Sequence, residues 1–192
     1  MKVKPDPPPA RRSRTPYVLL GMLLPGPANG YELKRRIETS VGHFWQESFG
    51  QLYPALALLE RQGLVRQVAQ EGARAKARRF AITPAGRKAL ASWVMTPPTP
   101  QPERNELLLK VFFAQVHPDA VNAHVLAAAQ QARLYGAQLG ALREQMMAGL
   151  DGQPGLPAWL ATLDYGAAAM DALAAWCERT QKALKDLPRQ RL

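Results

Sequence analysis

Cysteine is almost absent from this chain: Cys177 is the only one in 192 residues. One thiol cannot close an intramolecular disulfide, and there is no set of cysteines to hold a structural zinc. Histidine is nearly as scarce, and its three copies share no metal-ligand spacing. Long uncharged apolar runs are missing too; none approaches the roughly 18–20 residues of a membrane span. The basic, proline-rich N-terminus has no apolar stretch leading to a small-residue cleavage site, so a secretory signal is not expected. A cytoplasmic location without a membrane partner follows as the expectation. No glycine-rich phosphate loop follows a predicted strand, and Cys177 sits on an apolar seam with no basic partner adjacent in sequence to activate it. A buried structural thiol is the better reading, with no catalytic constellation and no cofactor.

Acidic residues are scarce in one half only. Residues 1–100 carry 16 basic and 6 acidic side chains, whereas residues 101–192 carry 9 of each, so the formal net charge of +10 resides entirely in the first half. A basic module joined to a neutral one suggests a polyanion-binding domain carrying a second domain with another task. The apolar fraction of 47% is enough to bury a core.

Four segments are distinguishable. Residues 1–15, rich in Pro, Lys and Arg, read as a disordered basic arm. Residues 16–95 carry the pattern of a small domain. Tyr17, Leu20, Leu23 and Leu24 mark a short buried helix ending at Pro25-Gly26-Pro27, and Asn29-Gly30 opens a second helix to about Ser40. A third helix begins near Ser48, where Ser48-x-x-Gln51 matches a capping box, or nearer Leu52, which would leave Pro54 harmlessly in the first turn. Leu52, Leu56 and Leu59 form its buried stripe and Gly63 its stop. Strands over Leu64 to Ala69 and Arg78 to Thr83 flank a basic loop, and Thr83-Pro84 starts a fourth helix running to about Val94. Trp45 and Trp93 are expected to anchor this core. Helix, helix, helix, strand, strand is the order of a winged helix-turn-helix.

A proline-rich linker, residues 96–102, leads to a helical segment over 103–190. Glu103 to Gln115 reads as one short helix. Val121, Val125, Ala128, Ala132, Tyr135, Leu139, Leu142 and Met146 then recur at alternating spacings of four and three. After a break rich in Gly and Pro the alternation returns through Trp159, Leu163, Gly166, Met170, Leu173, Cys177, Thr180, Leu184 and Leu187. Such a 3.5-residue repeat predicts an antiparallel helical hairpin, with Gly136, Gly140 and Gly166 permitting close approach of a neighbour. One hairpin leaves apolar surface exposed, so a homodimer through these helices is expected. The fold class is mainly α with a small β-hairpin, a winged helix-turn-helix followed by an α-helical dimerisation domain.

The chain resembles the PadR family of transcriptional regulators. The likeness rests on Gly30-Tyr31-Glu32-Leu33, on Gly50-Gln51-Leu52-Tyr53-Pro54-Ala55-Leu56, on Leu59-Glu60-Arg61-Gln62-Gly63-Leu64-Val65 and on Arg78-Arg79-Phe80-Ala81-Ile82-Thr83-Pro84-Ala85-Gly86. Glu106 to Phe113 is similar to the start of the longer C-terminal helical domain found in one subgroup. In the wing, where the family commonly has Gly-Arg-Pro, this chain has Gly72-Ala73-Arg74-Ala75-Lys76-Ala77 and keeps the charge. The resemblance implies a homodimeric DNA-binding repressor, released in some members by a small aromatic or drug-like molecule.

In such a fold the N-terminal end of the recognition helix meets base edges while flanking groups grip phosphates of double-stranded DNA. Ser48, Gln51 and Tyr53 are placed at that end. Gln51 can pair with an adenine edge or act as a helix cap, and Tyr53 can donate to a phosphate or pack in the core. Arg74, Lys76, Arg78 and Arg79 of the wing can reach phosphates or a minor groove. Phe112, Phe113, Trp159, Tyr165, Met170 and Trp176 are candidates either for dimer core or for a pocket taking a small aromatic or hydrophobic effector. A winged-helix protein–protein interaction module without sequence-specific DNA binding is the alternative function.

Overall fold

The computed structural model describes residues 13–45, 49–68, 78–99, 104–185 and 187. They fall into two units, Met1–Thr99 and Pro100–Leu192, each with its own core.

The N-terminal unit runs α1 (Thr15–Met22), β1 (Ala28–Asn29), α2 (Gly30–Ser40), α3 (Phe49–Arg61), β2 (Val65–Val68), β3 (Arg79–Ile82) and α4 (Pro84–Val94). Its helices begin and end where local chemistry satisfies orphan backbone groups. Asn29 accepts the Glu32 N–H at 2.9 Å while the Glu32 carboxylate accepts the Asn29 N–H at 3.0 Å, a reciprocal cap on α2. Thr83 caps α4 by accepting the Gly86 N–H, with Pro84 in the first turn, as the sequence predicts. Gly63 follows α3 at φ +68°, the left-handed stop that only glycine adopts without strain. Arg36 donates to the carbonyls of Met22 and Gly26 at 2.7 and 2.9 Å, closing the turn after α1.

Leu19, Leu20, Leu23, Leu33, Ile37, Leu52, Leu56, Leu59, Val65 and Phe80 form the core. Each fully buried leucine contributes roughly 1.5–3 kcal/mol of hydrophobic stabilisation. Several sequence expectations need correction. Leu24 is 45% exposed and Leu19 takes the buried place, because α1 ends at Met22 and the chain turns away. The β-hairpin is one part of a three-stranded sheet of order β1-β3-β2, in which Ala28 faces Phe80 and Asn29 faces Arg79. Two residues are too few to show an alternating pattern, so β1 left no trace in the sequence. Pro54 lies inside α3, at its sixth residue, and not in its first turn. It leaves the Gly50 carbonyl without its usual donor on the exposed side of the helix. Trp93 stacks on Tyr17 at 4.8 Å but stays 37% exposed, so it covers α1 and does not anchor the core. Trp45 is half-buried.

The C-terminal unit comprises α5 (Glu106–Phe112), a 3-10 turn (Ala114–Val116), α6 (Pro118–Gly149) and α7 (Leu156–Lys185). The single helix expected over 103–115 is thus shorter, with Asn105 capping its start and the chain tightening before Pro118. Helices α6 and α7 are antiparallel: Arg133 pairs with Glu178, and Arg143 with Asp164 at 2.7 Å. Val121, Val125, Ala132 and Leu139 of the predicted seam are buried, as are Leu163, Cys177 and Leu184. Ala129 and Ala174 are buried where Ala128 and Leu173 were expected to lead. A straight helix turns every 3.6 residues and drifts by about 20° per heptad from a 3.5-residue repeat. Gly140 faces open space and Gly136 is in ordinary contact with Met170, so within the chain neither glycine is required for close approach.

Candidate nucleic-acid interface

Helix α3 divides by residue along its length. Leu52, Ala55, Leu56 and Leu59 are buried, and Gln51, Tyr53, Pro54, Ala57 and Leu58 are exposed. This follows from 3.6-residue periodicity with the leucine face turned inward. Gln51 therefore presents its amide to solvent in the first turn. Its expected partner in a cap, Ser48, lies outside the described residues, as do Arg74 and Lys76 of the wing and Arg11 and Arg12 of the arm.

Tyr53 is 57% exposed, which removes it from the core, yet one edge of its ring is fixed. It lies against Gly30 so closely that a Cβ there would sit 2.7 Å from the Tyr53 hydroxyl. Glycine at the start of α2 thus leaves room for the Tyr53 ring in this position. Tyr31, 70% exposed in the first turn of α2, lies beside them; the sequence reading passed over it. An aromatic side chain on the polar side of an amphipathic helix was the available signal. Tyr31, Tyr53, Phe80 and Arg78 help to line a cleft of about 470 Å³ between α2, α3 and β3.

The basic residues separate into two kinds. Arg78 is exposed just before β3. Arg79 is turned inward, its guanidinium bound to the Glu32 carboxylate at 3.0 and 3.2 Å and to the Pro27 carbonyl at 2.6 Å. Arg36 is likewise engaged with backbone carbonyls, and Lys34 pairs with Glu38 at 3.0 Å. Of the candidates described, Gln51, Tyr53 and Arg78 present polar groups outward on adjoining elements.

The aromatic candidates of the C-terminal unit do not converge on one pocket. Phe112 and Phe113 make an edge-to-face pair on the exposed end of α5, and Tyr165 is 76% exposed. Trp159 is exposed and Trp176 half-buried, about 25 Å apart along α7 at 1.5 Å per residue. Met170 is half-buried opposite Gly136. Among the described residues no cluster of His, Cys, Asp and Glu could hold a metal, and no helix is long and apolar enough to cross a membrane. Cys177 is fully buried; burial pushes its thiol pKa up, against an opposing influence of Arg133. Since the thiolate is the reactive form, labelling of native protein by a disulfide reagent at pH 8 should be about a hundredfold slower than in denaturant. Equal rates would remove Cys177 from the core.

The profile of the transcriptional regulator PadR-like family matches residues 19–92, and that of the virulence activator alpha C-terminal family matches residues 103–185. A probable transcriptional regulator of Mycobacterium tuberculosis is 33% identical over 144 residues, 73% of this chain and 74% of that protein. The negative transcriptional regulator PadR of Bacillus subtilis is 27% identical over 99 residues, half of this chain and 54% of that protein. Among solved structures, Bacillus subtilis PadR in complex with operator DNA has a TM-score of 0.78 at 20% identity, covering 90% of this chain and 99% of that one. The Vibrio cholerae virulence activator AphA has a TM-score of 0.73 at 24% identity, covering 89% and 98%. Likeness at those identities establishes the winged-helix fold with a C-terminal helical domain. Two family profiles in tandem and a relative matched over most of both chains lead to one conclusion: the chain belongs to the PadR-like family of transcriptional regulators, which are not enzymes.

Proposed function

We propose that this protein is a homodimeric, sequence-specific DNA-binding repressor. The first half of α3 enters the major groove of each half-site, and the wing lies on the flanking backbone. The observation that carries the reading is the outward presentation of Gln51, Tyr53 and Arg78 on adjoining elements of a unit that holds all the excess positive charge. Ser48, Arg74 and Lys76 join them by their places in the sequence. The second copy would cover the apolar side chains left exposed on the C-terminal unit, among them Phe112, Leu134, Trp159 and Tyr165. Occupation of a promoter by such a dimer blocks transcription sterically. A small aromatic or hydrophobic molecule bound among the C-terminal helices would shift the spacing of the two α3 helices and release the DNA. A solved structure of Bacillus subtilis PadR with p-coumaric acid supports that part by analogy.

The test is selection of a preferred duplex from a random-sequence pool. Anisotropy titrations follow, with that duplex and a scrambled control, at about 50 and 200 mM salt. A preference of about a thousandfold that survives the higher salt is expected. Equal, salt-labile binding to both duplexes would favour the protein–protein module. Gln51→Ala should cost about 1–3 kcal/mol on the preferred duplex alone, whereas Arg74→Ala should weaken both duplexes and reduce the salt slope by about one. An unchanged preference in Gln51→Ala would assign that side chain to capping.

A further inference from the structure

Arg79 occupies a place that a phosphate-binding side chain would not need. Its fork spans both oxygens of Glu32 and reaches the Pro27 carbonyl, so one residue of β3 is joined to both ends of the segment that pairs with it. Glu32 is the same carboxylate that caps α2 through the Asn29 N–H. The cap is complete without Arg79, since it needs only Asn29 and Glu32. The arginine adds a link between the strand leaving the wing and the first turn of α2, and Tyr53 of α3 packs on that same turn at Gly30. Strand β1 is two residues long, so its ladder alone gives β3 little angular restraint. The pair is partly exposed, at 24% for Arg79 and 37% for Glu32. Ion pairs at such exposure contribute little to stability, but a bidentate fork fixes direction.

We propose that Arg79 and Glu32 are positioning residues for DNA reading: their ion pair sets the wing strand against the α2 turn on which Tyr53 of α3 rests, so that wing and recognition helix engage the duplex together. The inference rests on the DNA-binding function proposed above. Arg79 then acts through the orientation of its neighbours and contacts no phosphate itself.

The experiment compares wild type, Glu32→Gln, Arg79→Lys, Arg79→Met and Arg78→Ala in the full chain, with the wild-type-selected duplex and its scrambled control across a salt series. Thermal melts establish that each variant is folded at the assay temperature. Glu32→Gln is the sharpest arm because the two readings move different quantities, charge alone leaving the preference between duplexes unchanged. Removing a carboxylate beside a polyanion strengthens all binding if only charge matters. Positioning instead lowers the preference for the selected duplex by about tenfold, the loss of one base-pair contact. Arg79→Lys keeps the charge but not the fork, and should lose preference to a similar extent with an unchanged salt slope. It also serves where Arg79→Met does not fold. Arg78→Ala, removing an outward charge beside the duplex, should lower the slope by about one and weaken both duplexes.

Three outcomes overturn the proposal. A slope reduced by about one in Arg79→Met with preference retained makes Arg79 a phosphate contact. Variants that differ from wild type only in melting temperature reduce the pair to scaffold. A wild-type chain that selects no duplex defeats the functional reading itself and the positioning role with it, a failure visible before any variant is measured.

Discussion

Gly86→Ala is expected to unfold much of the N-terminal unit at temperatures where the wild type is stable. Helix propensity alone gives the opposite sign, since alanine is favoured over glycine by about 1 kcal/mol inside a helix. Packing overrides it. A Cβ at residue 86 would stand 2.1 Å from the Leu64 carbonyl oxygen and 2.9 Å from Cγ1 of Ile82. That carbonyl cannot retreat freely, because it accepts the Thr83 N–H at 3.1 Å and the Thr83 hydroxyl at 3.1 Å. The single hydroxyl hydrogen is shared with the Gly63 carbonyl, so moving Leu64 disturbs the start of α4 and the end of α3 together. Overpacking of this kind costs about 1–3 kcal/mol and each lost hydrogen bond about 1 more, giving roughly 3–5 kcal/mol in all. That is a large share of the stability of a small domain, about 5–15 kcal/mol. A thermal melt followed by circular dichroism should show a midpoint lowered by at least about 15 °C. A midpoint that rises would mean α4 does not pack on Leu64 and Ile82 as closely as described.

Truncation after Thr99 should weaken binding to a two-fold-symmetric duplex by about 10²–10⁴-fold. The N-terminal unit keeps its whole core, from Leu19 to Phe80, so the fragment is expected to remain folded. Without α5 to α7 each copy meets its half-site alone. The second binding event then loses the high effective concentration that a linked partner provides. Two readouts separate this from simple damage. The fragment should bind half-site and full-site duplexes with similar affinity per site, and it should sediment as a monomer where the full chain sediments as a dimer. A full chain that sediments as a monomer, with no affinity lost on truncation, would overturn the dimeric reading.

Both predictions turn on close contacts between segments far apart in sequence, and the same distinction separates what was legible in the residues from what was not. The order of the helices and of β2 and β3 in the N-terminal unit could be read because each carries a local signal, which the two-residue β1 does not. Thr83-Pro84 starts α4, Gly63 stops α3, and the Leu52, Leu56 and Leu59 spacing turns one face inward. The helical hairpin could be read because a repeat sustained over residues 121–146 and again over 159–187 outweighs the glycines within it. The charge asymmetry and the family motifs pointed to regulation of DNA by the same local route.

Arg79 shows where that route ends. In sequence it stands beside Arg78 and is indistinguishable from it in type, yet Arg78 faces solvent and Arg79 is bound to Glu32 and Pro27. Which of two adjacent arginines is available depends on β1 pairing with β3 across about 50 residues of chain, a contact no local pattern encodes. Tyr53 is similar: its spacing suited either core or surface, and the packing of the Leu52, Leu56 and Leu59 face leaves it outside, its ring tip against Gly30. Pro54 inside α3 is a third case, because burial of the leucine face outweighs one missing backbone hydrogen bond. Local propensity and periodicity determined the helices, the two longer strands and their order, and the quoted motifs carried the family resemblance. Long-range packing decided which polar side chains remain free to act, because each contact depends on two segments meeting and neither segment carries that information alone.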